Sequence, residues 1–338
     1  MTSTVFPRYD EGLRSCAIDL SDNTSQWGTA PSVAATLRSF DRESIARYPS
    51  AYSPRLKNAL ARYIGTDTSM VVTGCGSDDI LDSAIRALAG PGDELVYASP
   101  TFSMIPVFAR VSRVVPRPVP LLDEDVVDRL IEARAAITYV CSPNNPTGTA
   151  FQLSEIERIA RDANGIVIVD QAYAEFGGDD ALVLATSFRN VLVTRTLSKA
   201  FGLAGCRVGY GIASREIVDR IEGARGPYKI TALSEAAAIA ALDNDRQWVQ
   251  DRVSECNENR ARFIAGLGEL GFETFPSQAN FVLVKVSDAK LAACELASQG
   301  IAVRALENLT TIGDAVRISI GPWEIMEQCL SALGRISR

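Results

Sequence analysis

The sequence predicts an α/β fold with a largely parallel sheet and a second, smaller α+β domain. Three observations support this prediction. Short β-rich runs alternate with helical runs from about residue 70 to 215, residues 213–268 are mainly helical, and a new set of strands and helices follows. Such alternation implies a parallel sheet with helices on both faces. A chain of 338 residues is also long enough for two domains.

The first group of elements forms the predicted sheet and its covering helices. Strands are predicted at residues 70–73, 94–98, 114–118, 136–141, 165–170, 190–194 and 207–212. Helices are predicted between them at residues 78–89, 102–111, 124–134 and 154–162. In the first of these helices, apolar residues fall on one face at helical spacing, namely Ile80, Leu81, Ala84, Ile85 and Leu88.

The second group of elements follows an alanine-rich stretch at residues 232–243. Strands are predicted at residues 279–286, 301–304 and 315–320, and helices at 288–299 and 323–336. We therefore divide the chain into three parts. Residues 1–35 form an N-terminal segment that packs with the small domain, residues 36–240 form the large domain, and residues 241–338 form the small domain.

Composition excludes several classes of protein. No apolar run reaches about 18 residues, and the N-terminus has no basic and apolar leader, so we expect neither a membrane partner nor a signal peptide. The net charge of -7 argues against a nucleic-acid partner. The seven cysteines are scattered without CxxC spacing, which indicates a reduced, cytoplasmic protein without disulfides or zinc.

The chain contains no histidine. This excludes Ser-His-Asp and Cys-His mechanisms and any histidine-ligated metal, so we expect no metal site. If the protein is an enzyme, its acid–base group is Lys, Asp, Glu, Tyr or Cys, or a cofactor brings the chemistry.

Two turn-forming segments follow predicted strands, at the edge where open parallel sheets bind ligands. In the Thr-Gly-Cys-Gly-Ser-Asp-Asp run at residues 73–79, the glycines allow a tight turn, and Ser77 or Asp78 can cap the next helix, whose free N–H groups can hold a phosphate. The Pro-Asn-Asn-Pro-Thr-Gly run at residues 143–148 predicts a rigid loop with projecting amides. Taken alone, the first run favours a purely structural turn, and the second fits a structural or a functional role equally.

Two charged residues lie near the ends of further strands. Asp170 ends an apolar run and is either a helix cap or a carboxylate aimed into a site, with the hydroxyl of Tyr173 three residues on. Lys199 follows the hydroxyl residues Thr196 and Ser198 in an apolar, glycine-rich setting. A desolvated lysine has a lowered pKa and can act as nucleophile and base. The alternative, a surface lysine in a loop, fits the flanking apolar residues less well.

Taken together, these segments resemble the fold-type I aminotransferases of pyridoxal phosphate, and within them the histidinol-phosphate aminotransferase group. The segments that carry the resemblance occur in the family's order at residues 47–49, 74–78, 99–103, 143–148, 169–173, 198–210 and 317–321. The resemblance implies the aspartate aminotransferase-like fold and pyridoxal 5′-phosphate, bound by the large domain, as the cofactor. It also implies a homodimer with shared active sites.

The resemblance assigns roles around the cofactor ring. Lys199 would form the Schiff base and later move the proton between the substrate's Cα and the cofactor. Asp170 would pair with the pyridinium nitrogen and keep it protonated. Asn145 and Tyr173 would donate hydrogen bonds to the 3′-oxygen, and Phe102 would stack on the ring.

The resemblance also implies which residues bind the phosphate and the substrate. The phosphate would be held by Gly76, Ser77, Asp78, Ser198 and Arg207, with Thr196 as a weaker candidate. Tyr48 would reach the phosphate of the neighbouring subunit's cofactor. Arg317 would clamp the substrate's α-carboxylate, and Arg304 would meet the distal anionic group of histidinol phosphate.

The N-terminal segment that covers the substrate in this family departs from the family's pattern. Asn23 and a glycine remain, but Gln26 and Trp27 replace the usual proline and aromatic pair. We therefore place Asn23 and Trp27 at the substrate, with packing between domains as the alternative for Trp27.

Three functions are compatible with this sequence. The first is an aminotransferase that moves an amino group between an amino acid, or an amino-alcohol phosphate such as histidinol phosphate, and a 2-oxo acid, in a ping-pong cycle through pyridoxamine phosphate. An aminotransferase of secondary metabolism, acting on an unusual amino acid, is a variant of this hypothesis. The second is a decarboxylase of a phosphorylated amino acid, like threonine-phosphate decarboxylase. The third is a non-catalytic binding or regulatory protein that kept the fold.

Overall fold

The computed structural model describes residues 16–336 as alternating strands and helices. The strands are β1 Ile18–Asp19, β2 Val71–Cys75, β3 Glu94–Ser99, β4 Val115–Pro120, β5 Ile137–Cys141, β6 Ile166–Asp170, β7 Val191–Thr196, β8 Val208–Ala213, β9 Phe281–Lys285, β10 Ile301–Ala302, β11 Arg304–Leu309 and β12 Gly313–Ser319. The α-helices are α1 Pro31–Arg38, α2 Arg42–Ile45, α3 Pro54–Ile64, α4 Gly76–Leu88, α5 Ile105–Val111, α6 Val126–Glu132, α7 Leu153–Asp162, α8 Leu182–Ser187, α9 Arg215–Gly223, α10 Ala232–Asn244, α11 Arg246–Glu269, α12 Ala289–Ser298 and α13 Trp323–Leu333.

Seven strands form the central sheet in the order β2-β8-β7-β6-β5-β3-β4. Strand β8 runs antiparallel to both of its neighbours, and every other pair in this sheet is parallel. The predicted α/β fold with a largely parallel sheet is therefore confirmed. In this register Cys141, Asp170 and Thr194 lie side by side near the carboxyl ends of three neighbouring strands.

Apolar residues cover both faces of the central sheet. Along β6, Val167 and Val169 join one hydrophobic cluster, whereas Ile168 between them joins a second cluster with residues of α4, α5 and α9. Because successive side chains of a strand point to opposite faces, an apolar run such as Ile-Val-Ile-Val requires burial on both sides. The helices supply that burial, and the carboxyl edge of the sheet is left for polar residues.

The C-terminal unit contains the antiparallel sheet β11-β12-β9 and the helices α12 and α13. The single strand predicted at residues 301–304 is instead two strands. Strand β10 pairs in parallel with β1, and β11 starts at Arg304 and pairs with β12. The pairing of β1 with β10 brings the described part of the N-terminal segment against the C-terminal unit. Residues 1–15 of that segment lie outside the described residues. The boundary predicted at residue 240 falls within α10 and stays a prediction.

Helix α5 is shorter than the helix predicted at residues 102–111. Phe102 and the two residues after it form a turn, and the helix begins at Ile105 with Pro106 in its first turn. Proline is accommodated there because the first N–H groups of a helix have no partner within the helix. Within residues 16–336, no helix is both long enough and apolar enough to cross a bilayer.

Candidate active site

A cavity of about 700 Å³ lies at the carboxyl edge of the central sheet, between that edge and β12. Its wall contains most of the residues that the sequence singled out, namely Asn23, Gly76, Ser77, Asp78, Phe102, Asn145, Asp170, Tyr173, Thr196, Ser198, Lys199, Arg207 and Arg317. Strands β5, β6 and β7 are parallel and therefore end at the same edge of the sheet. Their ends place the residues from Asn145 to Lys199 on the wall.

Lys199 follows β7 and points its amine into this cavity. The Nζ atom donates a hydrogen bond of 3.2 Å to the backbone oxygen of Asp22. Burial, together with the positive charge of Arg317, lowers the pKa of Lys199 to about 8. A substantial fraction of the amine is therefore neutral near physiological pH, which is the form that acts as a nucleophile or a base.

Asp170 forms the floor of the cavity. Tyr139 donates a hydrogen bond of 2.8 Å to Oδ2, while the Thr194 hydroxyl at 3.3 Å and the Ala172 N–H at 3.2 Å donate to Oδ1. Burial raises the pKa of Asp170 to about 6, so the group is mostly ionised at pH 7. Among the described residues, no ion pair neutralises this carboxylate. A buried carboxylate that lacks an ion pair can be neutralised by a cationic group of a ligand.

Arg317 projects from β12 into the opposite side of the cavity. Its Nη1 donates to Asn145 Oδ1 at 2.5 Å, and its Nη2 donates to the backbone oxygen of Ser21 at 2.8 Å. The two neighbouring asparagines have different roles. Asn144 Nδ2 donates to Pro100 O and to the Thr147 hydroxyl and so holds the loop, whereas Asn145 faces the cavity.

A glycine turn and an arginine close one end of the cavity. Gly76 begins α4 with φ of +79°, and a Cβ atom built on it would lie 2.5 Å from Nη2 of Arg207. Arg207 itself has φ of +52° and lies 3.3 Å from the Asp78 carboxylate. The hydroxyl of Thr196 donates to that of Ser198 at 2.9 Å. Backbone N–H groups at the start of α4, these hydroxyls and the guanidinium are groups that can hold an anion such as a phosphate. The glycine turn at Gly76, where α4 begins, is called the anion turn below.

Neither Ser77 nor Asp78 caps α4, so this expectation was wrong. A cap at Ser77 would start the helix at residue 78, but the helix starts two residues earlier, at Gly76, and both residues lie inside its first turn. The Asp79 carboxylate instead accepts a hydrogen bond of 3.1 Å from the Cys75 N–H, and Lys229 Nζ lies 2.8 Å from its other oxygen.

Three predicted site residues do not lie on the cavity wall. Tyr48 is 84% exposed and stacks on Tyr228, with 5.0 Å between the ring centroids. The indole Nε1 of Trp27 donates to Glu255 at 2.9 Å, and Trp27 lines a much smaller pocket on another side of Lys199. Arg304 is buried on β11, directly across from Arg317 in the register of β11 and β12.

Sequence reasoning missed several residues that the cavity uses. Tyr139 lies two positions before the end of β5, so it shares a face with Cys141. Its contact with Asp170 follows only once the pairing of β5 with β6 is known. Ser21 and Asp22 contribute backbone oxygens, for which side-chain patterns give no signal. Met104 and Phe108 add an apolar wall beside Phe102, formed by the turn before α5 and by α5 itself.

These residues fit pyridoxal phosphate. The buried Asp170 carboxylate, which has no ion pair among the described residues, forms the floor, and the anion turn with Arg207 closes one end. Both Lys199 and the aromatic side chain of Phe102 line the same cavity. The ring nitrogen, the phosphate and the aldehyde of this cofactor would each find a complementary group.

We expect Gly76→Ala to weaken pyridoxal phosphate binding about 10-fold, because a left-handed backbone costs a residue with a side chain roughly 1–2 kcal/mol and the methyl group would displace the Arg207 guanidinium. The dissociation constant is measured by fluorescence titration of the apoprotein. Gly205→Ala is the matched control, since it lies in the same region with nothing within 4 Å of an added Cβ. Equal affinity in the two variants would contradict the assignment of the anion turn.

The chain is similar to known proteins over nearly its whole length. The sequence profile of the family described as aminotransferase class I and II matches residues 16–333. Identity to the histidinol-phosphate aminotransferase of Roseobacter denitrificans is 36% over 330 residues, which covers 94% of this chain and 91% of that protein. Identity to the aromatic amino acid aminotransferase of Cutibacterium acnes is 33% over 344 residues, covering 97% and 96%. The solved histidinol-phosphate aminotransferase from Sinorhizobium meliloti, in complex with pyridoxal-5′-phosphate, gives a TM-score of 0.86 at 25% identity, over 94% of this chain and 90% of that one.

Proposed function

The chain belongs to the class I and II aminotransferases, and on that premise we propose that it transfers the amino group between histidinol phosphate and a 2-oxo acid. Its aspartate aminotransferase-like fold, its dependence on pyridoxal phosphate and its aminotransferase activity follow from the family and from the relatives that share it. The proposal therefore concerns the substrate and the roles of individual residues.

One observation carries the proposed substrate. Arg317 and an apolar wall of Phe102, Met104 and Phe108 line the same cavity as the Lys199 amine. This arrangement suits an amine with an anionic group close to the amine-bearing carbon and a flat, weakly polar side chain. Histidinol phosphate has both features, since its phosphate ester lies one carbon from the amine-bearing carbon and its side chain is an imidazole ring.

An aromatic amino acid is the second candidate. The apolar wall accommodates a phenyl ring at least as well as an imidazole ring, and a carboxylate forms a two-bond pair with an arginine. The relative from Cutibacterium acnes is named for this activity. Arg304, which the resemblance assigns to the phosphate of histidinol phosphate, does not lie on the cavity wall.

Each residue would perform one defined task in the reaction. When bound, pyridoxal phosphate supplies an electron-accepting ring that stabilises negative charge at the substrate's α-carbon. Asp170 would keep the ring nitrogen protonated, and Tyr173 and Asn145 would donate hydrogen bonds to the ring oxygen. Lys199 would accept the proton from the α-carbon on Nζ and then deliver it, which its lowered pKa allows near pH 8.

The remaining residues would bind and orient. Arg317 would hold the anionic group of the substrate, in exchange for its present contact with the Ser21 carbonyl. Gly76, Ser77, Asp78, Thr196, Ser198 and Arg207 would hold the cofactor phosphate. Asn23 contacts Tyr173 from the segment that covers the cavity, and that segment would exclude water from the reacting atoms.

The first experiment follows the half-reaction of the holoprotein. Histidinol phosphate, phenylalanine, tyrosine and glutamate are added separately, and loss of the cofactor's visible absorbance is recorded. Fast conversion by histidinol phosphate and by glutamate supports the proposal, whereas fast conversion by phenylalanine or tyrosine alone supports the second candidate. Carbon dioxide release without an oxo product would instead indicate a decarboxylase.

We expect Arg317→Gln to lower kcat/KM for the amino substrate about 100-fold, because hydrogen bonds to a charged group contribute roughly 1.5–3 kcal/mol. Steady-state kinetics measure this ratio, with most of the loss in KM. The control is Arg161→Gln, an exposed arginine on α7 that pairs with Glu157 four residues earlier. A wild-type kcat/KM in Arg317→Gln would exclude it as the substrate's anion site.

We also propose that the protein is a homodimer with shared active sites. Tyr48 is exposed and stacks on the half-exposed Tyr228, and the Tyr52 N–H donates to Pro227 O, so the two segments form one exposed aromatic surface. Tyr48 would reach the partner's cofactor phosphate from this surface. A single-chain molar mass in light scattering at micromolar concentration would contradict the dimer.

A cytoplasmic location is the last part of the proposal. All seven cysteines are free, at positions 16, 75, 141, 206, 256, 294 and 329. Free thiols persist in a reducing compartment. Recovery of the protein in a membrane or extracellular fraction would contradict this location.

A further inference from the structure

Asn23 adopts a backbone conformation that only its surroundings can maintain. Its φ is +58°, in the left-handed region, and only 1% of the residue is exposed. A left-handed conformation in a residue other than glycine persists when neighbouring groups determine it, and such residues concentrate at functional sites. The groups that hold Asn23 therefore bear on the function of the cavity that it lines.

Two buried side chains of the C-terminal unit hold the backbone of Asn23. The Asn23 N–H donates to the Ser319 hydroxyl at 2.9 Å, and Asn280 Nδ2 donates to the Asn23 carbonyl at 3.0 Å. The Ser319 hydroxyl in turn donates to the Leu20 carbonyl at 2.9 Å. Asn280 and Ser319 are 2% and 0% exposed. Neither residue lines the cavity.

The side chain of Asn23 then contacts Tyr173, which lies on the large domain. Asn23 Nδ2 donates a hydrogen bond of 3.0 Å to the Tyr173 hydroxyl oxygen. Since the oxygen is already an acceptor there, the single phenolic proton has to point in another direction, and Tyr173 lines the cavity. Burial raises the pKa of Tyr173, so the phenol keeps that proton at neutral pH. The Phe281 ring packs edge-on against Tyr173, with 5.1 Å between centroids, and limits its rotation.

We propose that Asn280 and Ser319 are positioning residues, which hold Asn23 so that the Tyr173 hydroxyl directs its proton into the cavity. Neither lines the cavity where cofactor or substrate would bind, and Asn280 lines the smaller pocket on another side of Lys199. Both act through Asn23. The inference requires the pyridoxal phosphate site but no particular amino substrate. It can therefore fail while the proposed substrate is correct, and the reverse is also possible.

The test measures the bound cofactor without any substrate. A hydrogen bond that Tyr173 donates to the cofactor's ring oxygen stabilises negative charge on that oxygen. It would therefore lower the pKa of the Lys199 nitrogen beside the oxygen. Losing the bond raises the pH midpoint of the visible absorbance change. We expect Asn280→Ala and Ser319→Ala each to raise this midpoint by about 1 pH unit, the value of one hydrogen bond to a charged group. The charged and titratable groups around Lys199 and Tyr173 are the same in all variants, namely Asp22, Asp78, Cys141, Asp170, Lys199, Arg207 and Arg317.

Two comparisons separate positioning from general damage to the fold. Ser319→Thr keeps the hydroxyl and is expected to keep the wild-type midpoint. The same is expected of Ser298→Ala, because Ser298 is an exposed residue of α12 whose hydroxyl donates to Glu295 O. In a Tyr173→Phe background, Asn280→Ala is expected to cause no further shift, because the proton that it positions is gone.

Additive shifts in the Tyr173→Phe background would overturn the proposal. A wild-type midpoint in folded Asn280→Ala would do the same. Thermal unfolding of each holoprotein establishes which variants are folded. If Asn280→Ala does not fold, the comparison of Ser319→Ala with Ser319→Thr decides the question by the same readout.

Discussion

Lys199→Ala is expected to lower kcat for transamination about 10⁴-fold, the upper end of the range for a positioned acid–base group. Among the described residues, Lys199 is the lysine that lines the cavity. Burial and the charge of Arg317 lower the pKa of its amine and so favour the neutral form. Removing the amine removes the group that would join the cofactor and move the proton. No neighbouring side chain can replace it, because the other cations of the cavity are arginines, which stay protonated.

The same variant is expected to bind pyridoxal phosphate without a covalent bond. The anion turn, Arg207 and Asp170 are unchanged in it, so the affinity falls but is not lost. Single-turnover kinetics measure the chemical step, and equilibrium dialysis measures binding. Lys290→Ala is the control, because Lys290 is an exposed lysine on α12 that pairs with Glu307. Turnover close to wild type in Lys199→Ala would exclude Lys199 as the reactive lysine.

Asp170→Asn is expected to lower kcat about 10²- to 10³-fold, because a neutral amide cannot keep the ring nitrogen protonated. The substitution preserves the shape of the side chain and removes its charge. Loss of one charge-assisted hydrogen bond in a buried site accounts for roughly two orders of magnitude. Steady-state kinetics measure the effect, with Asp162→Asn on the exposed end of α7 as the control.

Asp170→Asn is expected to lower activity but to raise the free energy of unfolding of the apoprotein at pH 7. Burial raises the pKa of Asp170 from 3.8 to about 6. For a carboxyl group whose pKa is raised on folding, stability is complete below the unfolded value and falls as the pH rises through the folded value. At pH 7 the ionised group therefore destabilises the apoprotein by up to about 3 kcal/mol, at about 1.4 kcal/mol per pH unit.

Asp170→Asn should recover part of that free energy at pH 7 and little at pH 4, close to the unfolded pKa of 3.8. The recovery is partial because the amide can accept fewer of the hydrogen bonds from Tyr139, Thr194 and Ala172 than the carboxylate does. Urea unfolding of the two apoproteins at both pH values measures the difference. A larger gain at pH 4 than at pH 7 would show that the charge of Asp170 is not the cause. A gain at pH 7 together with lost activity would identify Asp170 as a group kept for function at the expense of stability.

The alternation of strands and helices was sufficient to predict the α/β fold and the edge of the sheet that carries the cavity. Parallel strands that are connected by helices end at one edge, so Asp170 at the end of β6 and Lys199 after β7 had to lie near each other. Local composition predicted the tight turn around Gly76 and the rigid loop at residues 143–148, because glycine, proline and asparagine restrict or relax backbone angles wherever they occur.

Contacts between distant parts of the chain were not predictable in the same way. Tyr139 meets Asp170 only because β5 and β6 pair in one register, and a shift by one residue would turn Tyr139 to the other face. The resemblance placed Arg304 at the substrate, and Trp27 was placed there with packing between domains as the alternative. In the structure Trp27 donates to Glu255, and Arg304 lies off the cavity wall.

What the sequence by itself determined is therefore which polar groups reach one edge of the sheet, since residue type and position relative to a strand end depend on local rules. The tertiary structure alone decided how those groups are held. The hydrogen bonds that fix Asn23 span 296 and 257 residues, to Ser319 and Asn280. No periodicity or motif encodes contacts of that length, because they form only when two packed units bring their backbones together and buried polar groups have to be paired.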